Sequence, residues 1–411
     1  MSRLRNLFAL LLLVLAFPLL GADAEDRFET KFSKDLAWSG GRVSVEHAFG
    51  ELTLRTHAGN DVRVRATIRS SDEALGRQIR IVTETNGSGV TVRTDYPEGR
   101  IPNVSFSVDL AVVVPTKAVL AASNRFGSID AQGLHTGASI ENRQGSITFH
   151  GNLGRHTVTN SFGSIEANGN TGDLTLVNAN GSVSVRKLDG ALTVTNRFGS
   201  ISATDVQRDA TLTNANGSVE ASDIGGRLQV TNAFGSVKAS TVRGDADVTT
   251  TNARVDLSNV TGGAKITNSF GNVSARSIRG NVTAQSSNGN VTLKDIGGNA
   301  GVTSTFGSVF VEGVTGGVSV ANANGAISVK GLRGGGCQPL SLKTNFSPIE
   351  VVLPAGANYD VDARTSFGQV RSDFPVTTRT FTEGTLAGTL GRGNCRMDLT
   401  NANGNITIEK E

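Results

Sequence analysis

The stretch Asn196-Arg197-Phe198-Gly199-Ser200-Ile201 decides how this chain is read. Its glycine returns every 18 residues, at Gly127, Gly145, Gly163, Gly181, Gly199, Gly217 and Gly235. After Ala253 it returns again at Gly271, Gly289, Gly307 and Gly325. The residue before it alternates. Phe126, Phe162, Phe198, Phe234, Phe270 and Phe306 lie 36 apart, with Gln144, Asn180, Asn216, Asn252, Asn288 and Asn324 between them. A fixed period of this length marks a repeat architecture, in which each unit buries its apolar face only against its neighbours.

Reading by columns gives each unit its shape. Leu192 and Val194 alternate with Thr193 and Thr195, the period of a half-buried strand. Two past each glycine stands Ile or Val, as at Ile165, Ile201 and Val237. Seven past it stands another apolar residue, as at Leu188, Val206 and Ile224, and two later a second glycine usually follows. The unit is therefore strand, glycine corner, strand, glycine corner, since glycine accepts the positive φ of tight corners. Stacked units place like residues over like. The expectation is an all-β chain, a parallel β-solenoid (β-helix) of ~18-residue coils with atypical terminal caps. About fifteen to nineteen coils would make a rod of roughly 70–90 Å. A larger coil of 36 residues, with Phe and Asn on opposite corners, fits the same alternation.

Four past the glycine, the Phe units carry Ala131, Ala167, Ala203, Ala239 and Ala275, where the other units carry Phe149, Val185, Leu257 and Leu293 among others. Large residues against small ones suggest a shared volume. On that reading Phe126, Phe162, Phe198, Phe234, Phe270 and Phe306 point inward at the corners made by Gly163, Gly199, Gly235 and their equivalents. Asn160, Asn196 and Asn232 stand just before the corners. They suit a hydrogen-bonded ladder that satisfies corner backbone groups, and they also suit a polar ligand track. Thr159, Thr195, Thr213, Thr231, Thr249 and Thr267 form an outward column, the candidate binding face. Val177, Asp247, Lys265, Gln285 and Gly301 interrupt the threonine grid, too often for an ice-binding surface.

Around the array the pattern loosens. Arg3 and Arg5, the apolar run Leu7 to Leu20 and Ala22-Asp23-Ala24 read as a secretory leader over residues 1–24, which implies an exported protein: periplasmic, secreted or at the cell surface. No later stretch is long and apolar enough to span a bilayer. Residues 25–120 read as an entry and capping β region, with a strand at Val62 to Ile68 and a helical turn near Ser71 to Gln78, capped by Ser71 or Asp72. Residues 121–335 are the regular array, and residues 336–411 the C-terminal coils and cap. In that last segment Gly368 and Gly404 again lie 36 apart. Cys337 and Cys395 suit a disulfide in an oxidising compartment, or two free thiols several coils apart.

The chemistry is bland. A net charge of +3 with scattered Lys and Arg excludes a nucleic-acid groove. The five His show no metal-ligand spacing, and no Gly-x-Ser-x-Gly elbow occurs. Ser184-Val185-Arg186-Lys187 matches a Ser-x-x-Lys pattern, but Val185 lies in a core column. Asp189, Asp223 and Asp295 sit on separated coils, and calcium-roll motifs are absent. No catalytic, cofactor or metal residue is assigned.

The Asn-x-Phe/Asn-Gly-x-Ile/Val phrase, the entry stretch Val43 to Ile68, the Val112-Val113-Val114-Pro115 lead-in and the Arg371-Ser372-Asp373-Phe374-Pro375 to Gly391 terminus resemble a bacterial adhesin-type family of β-strand repeats. That family is of unassigned function and is related to autotransporter-adhesin head domains. The resemblance covers nearly the whole mature chain. It implies a β-solenoid in an exported or envelope protein and brings no catalytic residues. The function expected is a non-enzymatic adhesin-like or scaffold module presenting Thr/Ser/Asn faces to a surface glycan, a cell-wall polymer or an envelope protein. The alternatives are a carbohydrate-active enzyme on the same fold and an envelope-stress signalling component.

Overall fold

The computed structural model describes residues 28–97, 99, 103–334 and 336–411; the leader assigned to residues 1–24 lies outside them. Two sheets of 20 and 19 strands face each other across one core, and the only α-helix among the described residues is the turn Glu73–Gly76, capped by Asp72. In each coil a strand of the 20-stranded sheet passes through the glycine corner into a strand of the 19-stranded sheet. The second corner returns the chain one layer on. Leu192–Phe198 pairs in parallel with Leu174–Asn180 on one side and Ala210–Asn216 on the other, always with the residue 18 positions away. The coil is therefore 18 residues, not 36. About 13 turns follow one another in sequence order, from Val119–Phe126 to Ile349–Leu353.

The alternation of the first strand dictates its burial: Leu192, Val194 and Asn196 face in, Thr193 and Thr195 out. On the second strand Ile201 and Ala203 face in, and so does Val206, an odd step further on. Asp205 makes this step, with φ 59°, and Lys187, Asp223, Thr241, Asn259, Ser277 and Asp295 repeat it. One left-handed residue re-aims the strand so that a third apolar column reaches the core. Each such residue costs about 1–2 kcal/mol. Burying the Val, Ile or Leu that follows returns about 1.5–3 kcal/mol, so the step is favourable. The first corner makes a comparable demand: Gly199 has φ 114°, and a Cβ there would lie 2.4 Å from the Gly181 carbonyl oxygen.

The phenylalanine column does not point inward. Phe162, Phe234, Phe270 and Phe306 are each 51% exposed, Phe198 43% and Phe126 38%. The chain turns at the glycine immediately after them, so the ring lies on the outer edge of the corner instead of continuing the strand's alternation. Phe149, by contrast, is fully buried. The large–small alternation four past the glycine belongs to the core itself: Ala203 and Ala239 share their coils with Leu192 and Leu228, and Leu257 shares its coil with Ala246, all buried.

Both ends depart from sequence order. The first coil, Arg42–Glu46 with Leu52–His57, is inserted between two later ones. Its strands pair in parallel with Gly89–Asp95 and Phe106–Pro115 on one side and with Val119–Phe126 and Ile129–Gln132 on the other. The antiparallel strands Phe28–Ala37 and Asp61–Ser70 extend the outer layer. The C-terminus repeats the device. The last coil, Arg396–Asn403 with Ile406–Lys410, lies between Leu340–Phe346/Ile349–Leu353 and Tyr359–Phe367/Val370–Ser372. Gly368 and Gly404 are thus in adjacent layers, not two repeats apart. A terminal strand bonded on both sides does not fray as an open edge would. A disulfide joins Cys337 to Cys395, with Cα atoms 5.1 Å apart, and ties the last coil to the exit from the array.

Candidate binding surface

The buried asparagines act on the corner. Asn196 donates its side-chain amide to the Gly199 carbonyl at 3.0 Å. Asn214 donates to the carbonyls of both Gly199 and Gly217, and Asn232 to those of Gly217 and Gly235. Asn160 reaches the Gly145 carbonyl at 3.0 Å. With 1–2% of their surface exposed, these residues form no track for a ligand. At the opposite corner Asp209, Asp245, Asn281 and Asn299 each accept the backbone N–H of the residue 18 positions on.

The threonine column lies on the outer face of the 20-stranded sheet. Thr195, Thr213, Thr231, Thr249 and Thr267 stand in consecutive layers, while Val177 separates Thr159 from them. Two residues further along each strand stand Arg197, Ala215, Ala233 and Thr251. Between the two columns runs a shallow trough of about 420 Å³, parallel to the rod axis. Its exposed lining is mainly apolar, from the Thr and Ala side chains, with the edges of Asn196, Asn214 and Asn232 between the columns and Arg197 as the one cation at its N-terminal end. Sequence reasoning placed the threonines outward from strand alternation. The trough itself depends on the small residues beside the corner, which the alternation does not single out.

Several charges pair across layers. Lys238 meets Glu220 at 3.1 Å, Lys294 meets Glu312 at 3.0 Å, and Arg333 meets Asp295 at 2.7 Å. The hydrogen bond from Lys294 holds the Glu312 carboxyl below its usual range. Asp173 is lowered too, first by the Ala191 N–H and then by Arg155. Burial raises the Tyr96 and Tyr359 phenols to about 12. None of these groups lines the trough. Among the described residues no three His, Cys, Asp or Glu side chains converge as a metal site would require, and no helix is long and apolar enough to cross a membrane.

Several solved structures resemble the chain at low identity. A candidate cell-adhesion protein from Clostridium sporogenes is 9% identical, covering 93% of this chain and 100% of its own, with a TM-score of 0.19. A candidate adhesin from Bacteroides fragilis is 13% identical over 64% of this chain and 96% of its own, with a TM-score of 0.27. A candidate lipid-binding protein from Parabacteroides distasonis is 11% identical over 68% and 96%, with a TM-score of 0.22. No curated protein sequence matches significantly. Residues 281–409 match the model of the Toastrack DUF4097 family.

Proposed function

We propose that this protein is an exported, non-enzymatic binding rod of adhesin-like type. It holds a linear surface glycan or cell-wall polymer along the threonine trough. One observation carries the reading: the same threonine lines the trough in layer after layer, from Thr195 to Thr249, along the axis of the rod. A polymer with a repeating unit meets a repeating site. Each hydroxyl contact is worth only about 0.5–1.5 kcal/mol net, so affinity comes from several acting together.

A glycan array and a cell-wall pull-down test this. The isosteric variant Thr195→Val/Thr213→Val/Thr231→Val removes hydroxyls without reshaping the sheet. It is expected to lose at least about tenfold in affinity, taking two or more such hydrogen bonds together, with an unchanged melting curve. Equal binding by the variant, or no binding of the native protein to any surface polymer, defeats the proposal.

A further inference from the structure

The phenylalanine ridge is the most regular apolar feature that the fold leaves in solvent. The core does not use it, and it stands beyond the threonine column. Its flanks are almost free of charge. From Ser161 to Ala326 the positions just before and just after the ridge's Phe/Asn–Gly pairs are Ser, Ala, Thr or Asn, except for Arg197 and Arg254. Arg254 is paired with Asp256 at 2.8 Å. Aromatic residues among uncharged neighbours are the composition of an interface core.

The spacing is specific. Phe49 and Phe126, on adjacent layers, stack with ring centroids 5.1 Å apart and planes 7° from parallel. Beyond Phe126 every second ring is replaced by an amide residue, shorter than a ring, and at three of these the amide folds back: Asn180, Asn324 and Asn403 donate to the carbonyls of Ser161, Thr305 and Asn345 at 3.3, 3.4 and 3.3 Å. Successive rings therefore stand about 10 Å apart, twice the strand spacing. Each gap has room for one more ring, which would lie about 5 Å from both neighbours, a distance at which aromatic pairs attract. The complementary object is the ridge itself, with rings at the same period.

We infer that the ridge is a self-association zipper, in which the rings of a second copy of this chain enter the gaps above Asn180, Asn216, Asn252, Asn288, Asn324 and Asn403. A two-fold axis perpendicular to the rod gives both copies the same role. The area suffices. Seven rings from Phe162 to Phe367 are about half exposed or more. At about 100 Å² each they offer about 700 Å² per copy, close to the roughly 800 Å² per partner of a stable interface. The inference stands on the corner geometry and does not depend on the polymer reading.

Sedimentation velocity on the protein expressed with its own leader and purified is expected to show a dimer in the micromolar range. Phe198→Ser/Phe234→Ser/Phe270→Ser is expected to weaken it at least about 100-fold, with a fold intact by circular dichroism and a melting curve close to the native one at concentrations where both are monomeric. Asn216→Phe/Asn252→Phe fills two gaps from within, as Phe49 does beside Phe126, and is expected to weaken the dimer although the surface becomes more apolar. A native protein that stays monomeric overturns the inference. So does a dimer that survives the serine variant, or one that tightens when the gaps are filled.

Discussion

Thr250 donates its hydroxyl to the side-chain oxygen of Asn268, the residue above it in the next layer, at 2.7 Å. Both side chains are buried. Elsewhere in this column the corresponding oxygen has no partner in the protein, as at Asn178, Asn196, Asn214 and Asn232. The amide nitrogen serves the corner carbonyls, and the oxygen is left over. One threonine below an asparagine resolves the mismatch.

Asn196→Thr should therefore be tolerated or stabilising. Its hydroxyl would reach the unpaired oxygen of Asn214, and the Gly199 carbonyl would keep its bond from Asn214. Relieving one buried unpaired acceptor is worth about 1 kcal/mol or somewhat more. A thermal melt should show an equal or higher midpoint; a clear drop would mean that the Asn196–Gly199 bond outweighs the orphan oxygen.

Phe198→Ala and Phe149→Ala should separate the ridge from the core. Phe198 is 43% exposed, with the Arg197 guanidinium above its ring, 5.3 Å from the centroid. Its loss should cost the dilute monomer less than about 1 kcal/mol. Phe149 is fully buried against His156. Its loss should cost about 3–5 kcal/mol. Denaturant titration of the two variants under the same conditions checks the contrast.

Gly199→Ala should be severe. The new Cβ would meet the Gly181 carbonyl oxygen, a backbone atom that cannot swing aside, in a conformation that L-residues rarely adopt. A cost of about 3 kcal/mol or more is expected. Ala253→Gly should be mild by comparison, because the corner at Ala253 is built without a positive φ. Circular dichroism melts of the pair would decide it.

Acid should weaken the N-terminal layers. Burial lowers the His47 imidazole from 6.5 to about 4, and Nδ1 lies 3.1 Å from the Thr94 hydroxyl. The unfolded chain takes up this proton near pH 6.5, the folded one only near pH 4. Stability is therefore full above about pH 6.5 and falls as pH drops toward 4, by an amount on the order of 3 kcal/mol. Burial shifts His156 in the same direction. His47→Asn, the residue used one layer on at Asn124, should flatten the slope of melting temperature against pH; an unchanged slope would acquit His47.

Removing the Cys337–Cys395 link should loosen the C-terminal end. The bond closes a span of 58 residues between the end of the array and the intercalated last coil. Cys337→Ser/Cys395→Ser should cost about 2–4 kcal/mol. Limited proteolysis should then cut first within residues 336–411, while cutting that begins in the middle of the array would contradict the stapling role.

The regular coils were legible because their signal is local. Val194 and Ile201 are apolar at strand spacing, and repetition of the same columns leaves stacking as the way to bury them. The outward threonines were legible for the same reason. The orientation of Phe198 was not. Strand alternation stops at the corner, so parity no longer says which way a side chain points. The size pattern at Ala203 and Leu257 reflects packing within the core instead. The odd step to Val206 was visible as a column, but its cause, a left-handed Asp205, is a backbone property that Asp, Thr, Asn, Ser and Lys all supply here.

The sequence by itself determined the unit: an 18-residue β coil with two corners, an apolar interior and a hydroxyl-rich outer face. These follow from residue type at fixed short spacing, and every coil states them again. Only the tertiary structure decided that the rings of the signature phrase face solvent while its asparagines are buried. Only the structure, too, placed the first and last coils inside the stack, between layers that do not adjoin them in sequence. Burial at a corner depends on the path the chain takes after it. The order of layers depends on pairing between strands far apart in sequence, such as Phe346 beside Asn403. Neither is written in any single repeat.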